Sequence, residues 1–472
     1  MLTVPARGLR SGDVVDGFTL GRRLHEGGMA ILWEVTHPEH SLPMVMKVPR
    51  IDEGDDPAAI VSFEMEQMIL PRLSGPHVPR FIASADFERL PFLVMERIAG
   101  ESMLPLIRNL PMAPDVVAAH GARIAVALDS PHRQHVIHLD LKPSNILARP
   151  SGEAVLIDFG LSHHQMLPDL MAEEFRLPYG TAPYMAPEQS MGIRTEPRSD
   201  LFALGVLMYF LVTGDRPFGD PQRLKDLRRR LWSDPTPPRR LNPGCPPWLQ
   251  EIILRCLEVD PERRHPTAAQ LAFDLTHADQ VMLTPRAEKA ARDPWSQRLR
   301  RRFNPEARPQ FRRKAANGLS TAPILAVAVD LDQQDAALAD ALRDALRRIL
   351  ALFPAARIAC LNVLRLNRIA VDSALDQEGR NKHAQRLVEL RHWAQPLGLP
   401  EGRVTFTVLE AVSPATALLD YLNANPVEHI LLGARANSTM RSLLGSVSGE
   451  VAAQAPCTVT VVRARRDAQE AG

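Results

Sequence analysis

The chain has 472 residues, of which 45% are hydrophobic and 24% charged, and its net charge at pH 7 is +1. A chain of this length exceeds what one hydrophobic core accommodates, so about two or three domains are expected. The near-zero net charge excludes a global field that would attract nucleic acid or a membrane surface. The four cysteines include no CxxC pair, which is typical of reduced thiols in a cytosolic protein.

The sequence carries no pattern typical of export or membrane insertion. Residues 1–10 lack an apolar core, so no signal peptide is predicted. The longest apolar stretch, residues 201–212, is much shorter than the roughly 20 residues that span a membrane. It predicts a buried helix, and we expect a cytoplasmic protein.

Short β-rich segments come first in the chain and helical segments follow them. The β-rich segments are residues 18–24, 31–35, 44–48 and 92–95. The helical segments are residues 115–128, 201–212, 248–257 and 268–275. This order predicts a bilobal α+β domain over residues 13–280, with a sheet lobe at about 13–98 and a helical lobe at about 99–280.

A basic segment separates this domain from the rest of the chain. Residues 286–314 contain eleven Arg or Lys against three Asp or Glu, and three prolines that would break a long helix. We interpret residues 281–320 as a basic, proline-containing linker. It is either solvated or a docking arm for an acidic partner or a phosphate surface.

The C-terminal part alternates short Val- and Ile-rich segments with segments of helical periodicity. The apolar segments are residues 324–329, 357–363, 404–409, 430–432 and 458–462. Such alternation predicts an α/β domain over residues 321–465, built on an open, twisted parallel sheet that is covered on both faces.

The segment 138–145, His-Leu-Asp-Leu-Lys-Pro-Ser-Asn, indicates phosphoryl transfer. Asp140 can accept the proton of an attacking hydroxyl, Lys142 can neutralise a moving phosphate, and Asn145 can hold a magnesium ion. Asp158 begins a second metal-binding motif, Asp-Phe-Gly, thirteen positions after Asn145. An Ala-Pro-Glu motif at 186–188 follows in the expected order.

With these motifs in this order, residues 13–280 resemble the eukaryotic-type Ser/Thr protein kinases, and in detail their bacterial branch. The resemblance implies that Mg-ATP lies between the lobes and that the γ-phosphate is transferred to Ser or Thr of protein substrates. It implies that Lys47 pairs with the α- and β-phosphates. Glu66 is then the helix carboxylate that orients Lys47, with Glu64 as the alternative.

The same resemblance assigns the rest of the ATP site. Met95 is expected to be the gatekeeper, and the backbone from Glu96 to Ile98 is expected to bind adenine. Gly27 and Gly28 belong to the glycine-rich loop, where glycine lets the backbone approach phosphates.

The glycine-rich loop departs from the family pattern at its first position. His25 stands where the first glycine is usual, and Ala30 replaces the third. We expect His25 to restrict the loop and weaken ATP binding. The departure also supports the alternative of a nucleotide-sensing pseudokinase scaffold that acts by binding.

Three residues of the helical lobe are expected to have supporting roles. The resemblance implies that Asp200 anchors the backbone of the catalytic loop and that Arg264 pairs with Glu188. Thr181 is expected to contact Asp140 and to mark Ser/Thr specificity.

Leu139 is the informative departure in the catalytic loop. Most regulated kinases have Arg immediately before the catalytic Asp, and that Arg binds an activation-loop phosphate. Residues 161–177 contain Ser162 but no threonine, and they carry Glu173 and Glu174. Because the phosphate and its receiver are missing together, we expect basal activity without activation-loop phosphorylation.

Residues 321–465 resemble a universal stress protein domain. Asp330 falls where that family has an Asp near adenine, and Gly433, Gly445 and Ser446 fall in its phosphate-loop motif. Ala436 replaces the second glycine of the motif, and only eight residues separate it from Gly445. The domain is therefore either a second ATP site or an apo sensor and dimerisation domain. The resemblance implies a homodimer through residues 458–462.

The two resemblances together predict a cytoplasmic Ser/Thr protein kinase in stress signalling. Its expected cofactors are ATP and Mg²⁺, and its expected partners are protein substrates, without nucleic acid or membrane. A kinase that phosphorylates only its own chain is a further alternative.

Overall fold

The computed structural model describes residues 8–51, 58–175, 177–303, 322–332, 335–366, 381–400, 403–434 and 446–464. Within these ranges, no helix is long and apolar enough to cross a membrane.

The small lobe is a six-stranded antiparallel sheet with one helix. Its strands are β1 (Val14–Val15), β2 (Phe18–Glu26), β3 (Ala30–His37), β4 (His40–Pro49), β5 (Phe81–Ala85) and β6 (Phe92–Glu96), in the order β1-β2-β3-β4-β6-β5. Helix α1 (Ala58–Ile69) connects β4 to β5. Met44, Met46 and Val48 of β4 point into one core, and Lys47 therefore points to the opposite side of the sheet.

The large lobe is mainly helical. Its helices are α2 (Pro114–Arg133), α3 (Leu170–Glu174), α4 (Arg198–Thr213), α5 (Leu224–Leu227), α6 (Pro238–Leu241), α7 (Pro247–Cys256) and α8 (Ala268–Thr276). One short strand, β7 (Glu101–Ser102), precedes α2. Four more lie between α2 and α3: β8 (Val136–Ile137), β9 (Ile146–Ala148), β10 (Ala154–Leu156) and β11 (His163–His164). Helix α4 is buried along nearly its whole length, which confirms the buried helix predicted at residues 201–212.

The first part of the basic segment packs on the large lobe. Arg286 forms ion pairs with Glu251 and Glu258 at 3.1 and 2.8 Å, and Lys289 pairs with Asp234 at 2.9 Å. Helix α9 (Trp295–Phe303) follows. Acidic side chains of the same chain therefore bind this part of the predicted linker, which is not a free tether.

In its described residues, the C-terminal domain is a five-stranded parallel sheet with two helices on each face. Its strands are β12 (Ile324–Ala328), β13 (Arg357–Arg365), β14 (Val404–Ala411), β15 (Val427–Gly433) and β16 (Thr458–Val462), in the order β14-β13-β12-β15-β16. Helices α10 (Ala336–Leu352) and α11 (Lys382–Ala394) cover one face, and α12 (Pro414–Ala424) and α13 (Ser446–Gln454) cover the other. Both predicted fold classes are confirmed.

Candidate active site

The catalytic loop is held by Asp200, which projects from α4. Its two carboxylate oxygens accept hydrogen bonds from the backbone amides of His138 and Leu139, each at 2.8 Å. Leu139 has a φ of +63°, a left-handed conformation that non-glycine residues rarely adopt. Although burial acts to raise the pKa of Asp200, its hydrogen bond to His132 holds that pKa below the usual value. The anchored loop presents Asp140.

Four donors converge on Asp140. Lys142 Nζ lies 2.6 Å from Oδ2, and Asn145 Nδ2 donates to Oδ2 at 3.2 Å and to the backbone oxygen of Asp140 at 3.0 Å. Oδ1 accepts both the backbone amide and the hydroxyl of Thr181, at 2.9 and 2.8 Å. The carboxylate is thus fixed in orientation between the catalytic loop and the segment that follows the Asp-Phe-Gly motif.

A second cluster joins β4, α1 and the Asp-Phe-Gly motif. Lys47 Nζ lies 2.5 Å from Glu66 Oε2 and 2.9 Å from Asp158 Oδ1. Glu66 Oε1 accepts the backbone amide of Phe159 at 3.2 Å. A Cβ atom added to Gly160 would lie 2.1 Å from Ser62 Oγ, so the motif packs directly against α1. The position of α1 therefore determines both the Lys47–Glu66 contact and the position of the Asp-Phe-Gly motif.

Lys47 and Asp158 each stabilise the ionised form of the other. Burial alone would lower the pKa of Lys47, but the carboxylates of Asp158 and Glu66 raise it above its usual value. The charge of Lys47 in turn is the main cause that lowers the pKa of Asp158 to about 2. At neutral pH the site therefore offers a cation for phosphate beside an ionised carboxylate.

The donor set fits a magnesium ion. The Asp158 side chain is 43% exposed despite its contact with Lys47, so carboxylate oxygen remains accessible. Asn145 uses its amide nitrogen on Asp140, and its Oδ1 accepts the Ser144 hydroxyl at 3.2 Å with one lone pair, which leaves the other for a metal ion. Carboxylate and amide oxygens are ligands that Mg²⁺ accepts, usually together with substrate phosphates.

The glycine-rich turn lies between β2 and β3. Gly27 donates its backbone amide to the Ala30 oxygen at 3.0 Å, and Arg50 Nη1 donates to the Gly27 oxygen at the same distance. A Cβ atom on Gly27 would lie 3.2 Å from His25 Nε2, whereas one on Gly28 would meet open space. The His25 ring thus narrows the space around the first of the two glycines.

The expected adenine-binding segment begins with the last residue of β6, at the junction of the lobes. Met95 pairs with Val45 of β4 and is buried, as is Ile98. Glu96 forms an ion pair with Arg149 of the large lobe at 2.8 Å. The three residues named from the sequence therefore lie together at this junction.

Arg264 and Glu188 form a buried bidentate pair at 2.6 and 2.8 Å, and Ser199 Oγ donates to the same carboxylate at 2.6 Å. This pair, expected from the sequence, ties the end of the activation segment to the start of α8.

Asp169 is a functional candidate that the sequence did not identify. It caps α3 by accepting the Ala172 amide at 3.2 Å, and its other oxygen binds Arg194 at 2.8 Å and His163 at 3.1 Å. Burial acts to raise the pKa of Asp169, but Arg194 and His163 lower it below the usual value. An Asp before an apolar segment indicates a helix cap, yet no local pattern indicates the distant Arg194.

The C-terminal domain has a cavity of about 750 Å³ at the carboxyl ends of its strands. Asp330, Gly433 and Ser446 all line it, together with Asn362 of β13. Gly445 lies outside the described residues. The carboxyl edge of a parallel sheet is the usual place for ligands in α/β domains.

Family models match both parts of the chain. Residues 18–274 match the protein kinase domain, and residues 323–463 match the universal stress protein family. The first match covers more than half of the chain, which therefore belongs to the protein kinase family. The kinase domain is followed by a universal stress protein domain, as the sequence predicted.

Two similar curated proteins are bacterial kinases. The chain is 27% identical over 251 residues to a probable serine/threonine-protein kinase of Clostridium perfringens, covering 53% of this chain and 36% of the relative. It is 28% identical over 265 residues to serine/threonine-protein kinase PknB of Mycolicibacterium smegmatis, covering 55% and 42%. The chain thus spans about two fifths of the length of these relatives. The PknI kinase domain of Mycobacterium tuberculosis is 22% identical, with a TM-score of 0.45 over 57% of this chain and 99% of that structure.

Proposed function

We propose that the protein is a serine/threonine protein kinase that transfers the γ-phosphate of ATP to protein substrates. The observation that carries the proposal is the environment of Asp140. Its carboxylate is held by Thr181 and Asn145 and lies 2.6 Å from the ammonium group of Lys142. A fixed acceptor beside a cation suits proton removal from a hydroxyl that attacks a phosphate.

Each residue has a role in this mechanism. Asp140 orients the substrate hydroxyl and accepts its proton, and Lys142 stabilises the negative charge of the phosphoryl group in transfer. Lys47, oriented by Glu66, binds the α- and β-phosphates. A magnesium ion held by Asp158 and Asn145 would neutralise further phosphate charge when bound.

The remaining residues bind the nucleotide. The backbone from Glu96 to Ile98 binds adenine beside Met95, and Gly27 and Gly28 lie over the phosphates. Since Lys47, Asp140, Asn145 and Asp158 are all present in one cleft, no observation favours the pseudokinase alternative over catalysis.

Activity is proposed to be independent of activation-loop phosphorylation. Asp169 binds Arg194, and Arg194 Nη2 also donates to the Leu161 oxygen at 2.9 Å. The Asp169 carboxylate thus makes contacts in the segment where regulated kinases use a phosphate.

The C-terminal domain is proposed to bind a second nucleotide, with Asp330, Gly433, Gly445 and Ser446 as its contacts. Its edge strand β16 is proposed to pair two chains into a homodimer, since an unpaired edge can accept another strand. We place the kinase domain at residues 13–280, the linker at 281–320 and the second domain at 321–465. Stress signalling in the cytoplasm is the proposed setting.

The decisive test is transfer from radiolabelled ATP by the purified full-length protein, with phosphorylated residues identified by mass spectrometry. Asp140→Asn and Asp158→Ala should each lower the rate on the order of 10²-fold or more while the fold survives. Asp115→Asn, an exposed substitution on α2, is the matched control. Near-wild-type turnover by either site variant would refute the site assignment.

A further inference from the structure

Helix α1 is buried on nearly all sides, including the carboxylate-bearing Glu64 and Glu66. Its sequence, Ala-Ala-Ile-Val-Ser-Phe-Glu-Met-Glu-Gln-Met-Ile, is buried from Ala58 to Glu66 without interruption. A helix that is hydrophobic all round must be covered all round. The small-lobe sheet can cover only one side of α1, so other elements must cover the rest.

Helix α3 and the C-terminal domain lie at the remaining sides of α1. Helices α1 and α3 are in contact, and α3 is in turn in contact with α12 and β14. One continuous apolar cluster contains Ile60 and Val61 of α1 together with Leu387 and Leu390 of α11. Asn381, the residue that caps α11, donates its side-chain amide to the Ile51 oxygen at 2.7 Å.

A charged contact joins α11 to α1. Arg391 Nη2 binds Glu64 Oε1, and the Glu64 side chain is only 6% exposed. The guanidinium group of Arg391 also lies over the Phe406 ring, 5.5 Å from its centroid. Glu64 is two residues from Glu66 on the same helix, so this contact acts on the helix that orients Lys47.

A second charged contact joins the C-terminal domain to the activation segment. Arg357, at the start of β13, binds the carboxylate of Glu173 in α3, and both side chains are buried. Tyr421 Oη lies 3.3 Å from the other oxygen of Glu173, and Asn425 Nδ2 donates to the Glu173 backbone oxygen at 3.3 Å. Three side chains of the C-terminal domain therefore hold one residue of the kinase domain.

The two contacts fall on the two elements that set kinase geometry. In kinases the Lys–Glu pair and the Asp-Phe-Gly motif must both be in place for transfer, and the helix position controls this. The activation segment continues through Thr181, which holds Asp140. Leu139 offers no cation to this segment, whereas Arg357 supplies one from outside the kinase domain.

We propose that the C-terminal domain is a built-in clamp on the kinase domain. Its Arg391 holds α1 through Glu64, its Arg357 holds the activation segment through Glu173, and together they maintain the arrangement in which Lys47, Glu66 and Asp158 meet. Arg357 and Arg391 are thus positioning residues for the reaction. The clamp rests on the proposed kinase function for its effect on rate, but not for its effect on structure.

The test uses the full-length protein with four single variants: Arg391→Gln, Glu64→Gln, Arg357→Gln and Glu173→Gln. Two double variants combine Arg391→Gln with Glu64→Gln, and Arg357→Gln with Glu173→Gln. Arg386→Gln is the matched control, because Arg386 lies on α11 but pairs with Asp332 and Glu389 of its own domain. Hydrogen exchange of residues 58–69 and 170–174 reports the clamp, and kcat and KM for ATP and protein substrate report its effect.

Loss of either arginine should accelerate exchange in the element it holds and lower kcat roughly tenfold, with a smaller change in the KM for protein substrate. Each double variant should resemble its single variants, because the members of a pair act as a unit. Exchange and kcat equal to those of Arg386→Gln would overturn the clamp. If Arg357→Gln fails to fold, Glu173→Gln and Arg391→Gln, at a more exposed arginine, take its place. Faster exchange with a lower kcat in these variants would support the clamp, and values equal to those of Arg386→Gln would overturn it.

Failure of the clamp and failure of the kinase are distinguishable. A wild-type protein without transferase activity would refute the proposed function, while the exchange comparison would still decide whether the C-terminal domain holds α1 and α3. An active protein whose α1 and α3 exchange normally without the arginines would refute the clamp alone.

Discussion

Thr181 donates both its backbone amide and its hydroxyl to one carboxylate oxygen of Asp140. The contact ties the activation segment to the proposed base, because Thr181 can reach Asp140 only when the segment is folded over the catalytic loop. Asn145 and Lys142 occupy the other oxygen, so the carboxylate has little freedom to turn. Folding of the activation segment therefore directly fixes the orientation of the Asp140 carboxylate.

The Thr181 contact can be tested with two substitutions of similar size. Thr181→Val keeps the shape but removes the hydroxyl, whereas Thr181→Ser keeps the hydroxyl. Because a hydrogen bond to a charged group contributes about 1.5–3 kcal/mol, Thr181→Val should lower kcat roughly tenfold or more. Thr181→Ser should stay within a few-fold of wild type. Equal rates for the two variants would show that the hydroxyl does not position Asp140.

Phosphatase treatment should leave the kinase rate nearly unchanged. Leu139 cannot bind a phosphate, and the Asp169 carboxylate already pairs with Arg194 in the activation segment. The measurement is the initial rate before and after dephosphorylation, with intact mass as the check that phosphate was removed. A large loss of rate that a phosphate between residues 161 and 181 restores would contradict the prediction.

His25→Gly should lower the KM for ATP by about threefold, the size of a typical glycine effect on the backbone. The His25 ring lies beside Gly27 and restricts the turn over the phosphates. Steady-state kinetics over a range of ATP concentrations gives the answer, and kcat should change less than KM. An unchanged or higher KM would mean that His25 is neutral or contacts phosphate itself.

The fold was largely accessible from the sequence because it depends on local periodicity. The strands expected at residues 44–48 and 357–363 and the helix expected at 268–275 are present with small changes at their ends. Local pattern and spacing were sufficient for these elements. The proximity of Lys47, Glu66 and Asp158 was instead expected from the resemblance to protein kinases.

The contacts between domains were not accessible, since their partners are far apart in sequence. Glu173 and Arg357 are 184 positions apart, and Glu64 and Arg391 are 327 apart. Glu173 was noticed as a charge in the activation segment, but nothing local indicated its partner. A local signal was the composition of α1, in which eight of twelve residues are apolar, which favours a helix that is covered on more than one side.

Stability should fall between about pH 6.5 and pH 4 through His164. Burial is the main cause that lowers the pKa of His164 to about 4, from 6.5 in an unfolded chain, and Nδ1 accepts the Met166 amide at 3.0 Å. The unfolded state therefore binds a proton in this range that the folded state excludes, so the free energy of unfolding decreases as pH falls, until both states are protonated. Urea unfolding at a series of pH values measures this slope.

His164→Gln should flatten that part of the pH profile, because glutamine keeps an acceptor and cannot ionise. His40→Gln, which replaces an exposed histidine on β4, is the control for the histidine-to-glutamine change itself. A profile equally steep in His164→Gln would assign the pH dependence to other groups, among them His265, whose pKa burial also lowers.

A nucleotide in the C-terminal cavity should alter kinase activity through α11. Glu389, His392 and Trp393 of this helix line the cavity, and Arg391 on the same helix binds Glu64 of α1. A ligand shifts the kinase only if it binds two states of the chain unequally. We expect a modest coupling of about 1 kcal/mol, or roughly fivefold in apparent affinity. The kinase rate of the wild type should show a second phase as the ATP concentration rises. Asp330→Ala should remove this phase by weakening binding to the C-terminal cavity. Arg391→Gln should remove it by separating binding in the cavity from the kinase rate. Identical single-phase curves for all three proteins would make the C-terminal domain a structural support for α1 without a ligand-dependent role.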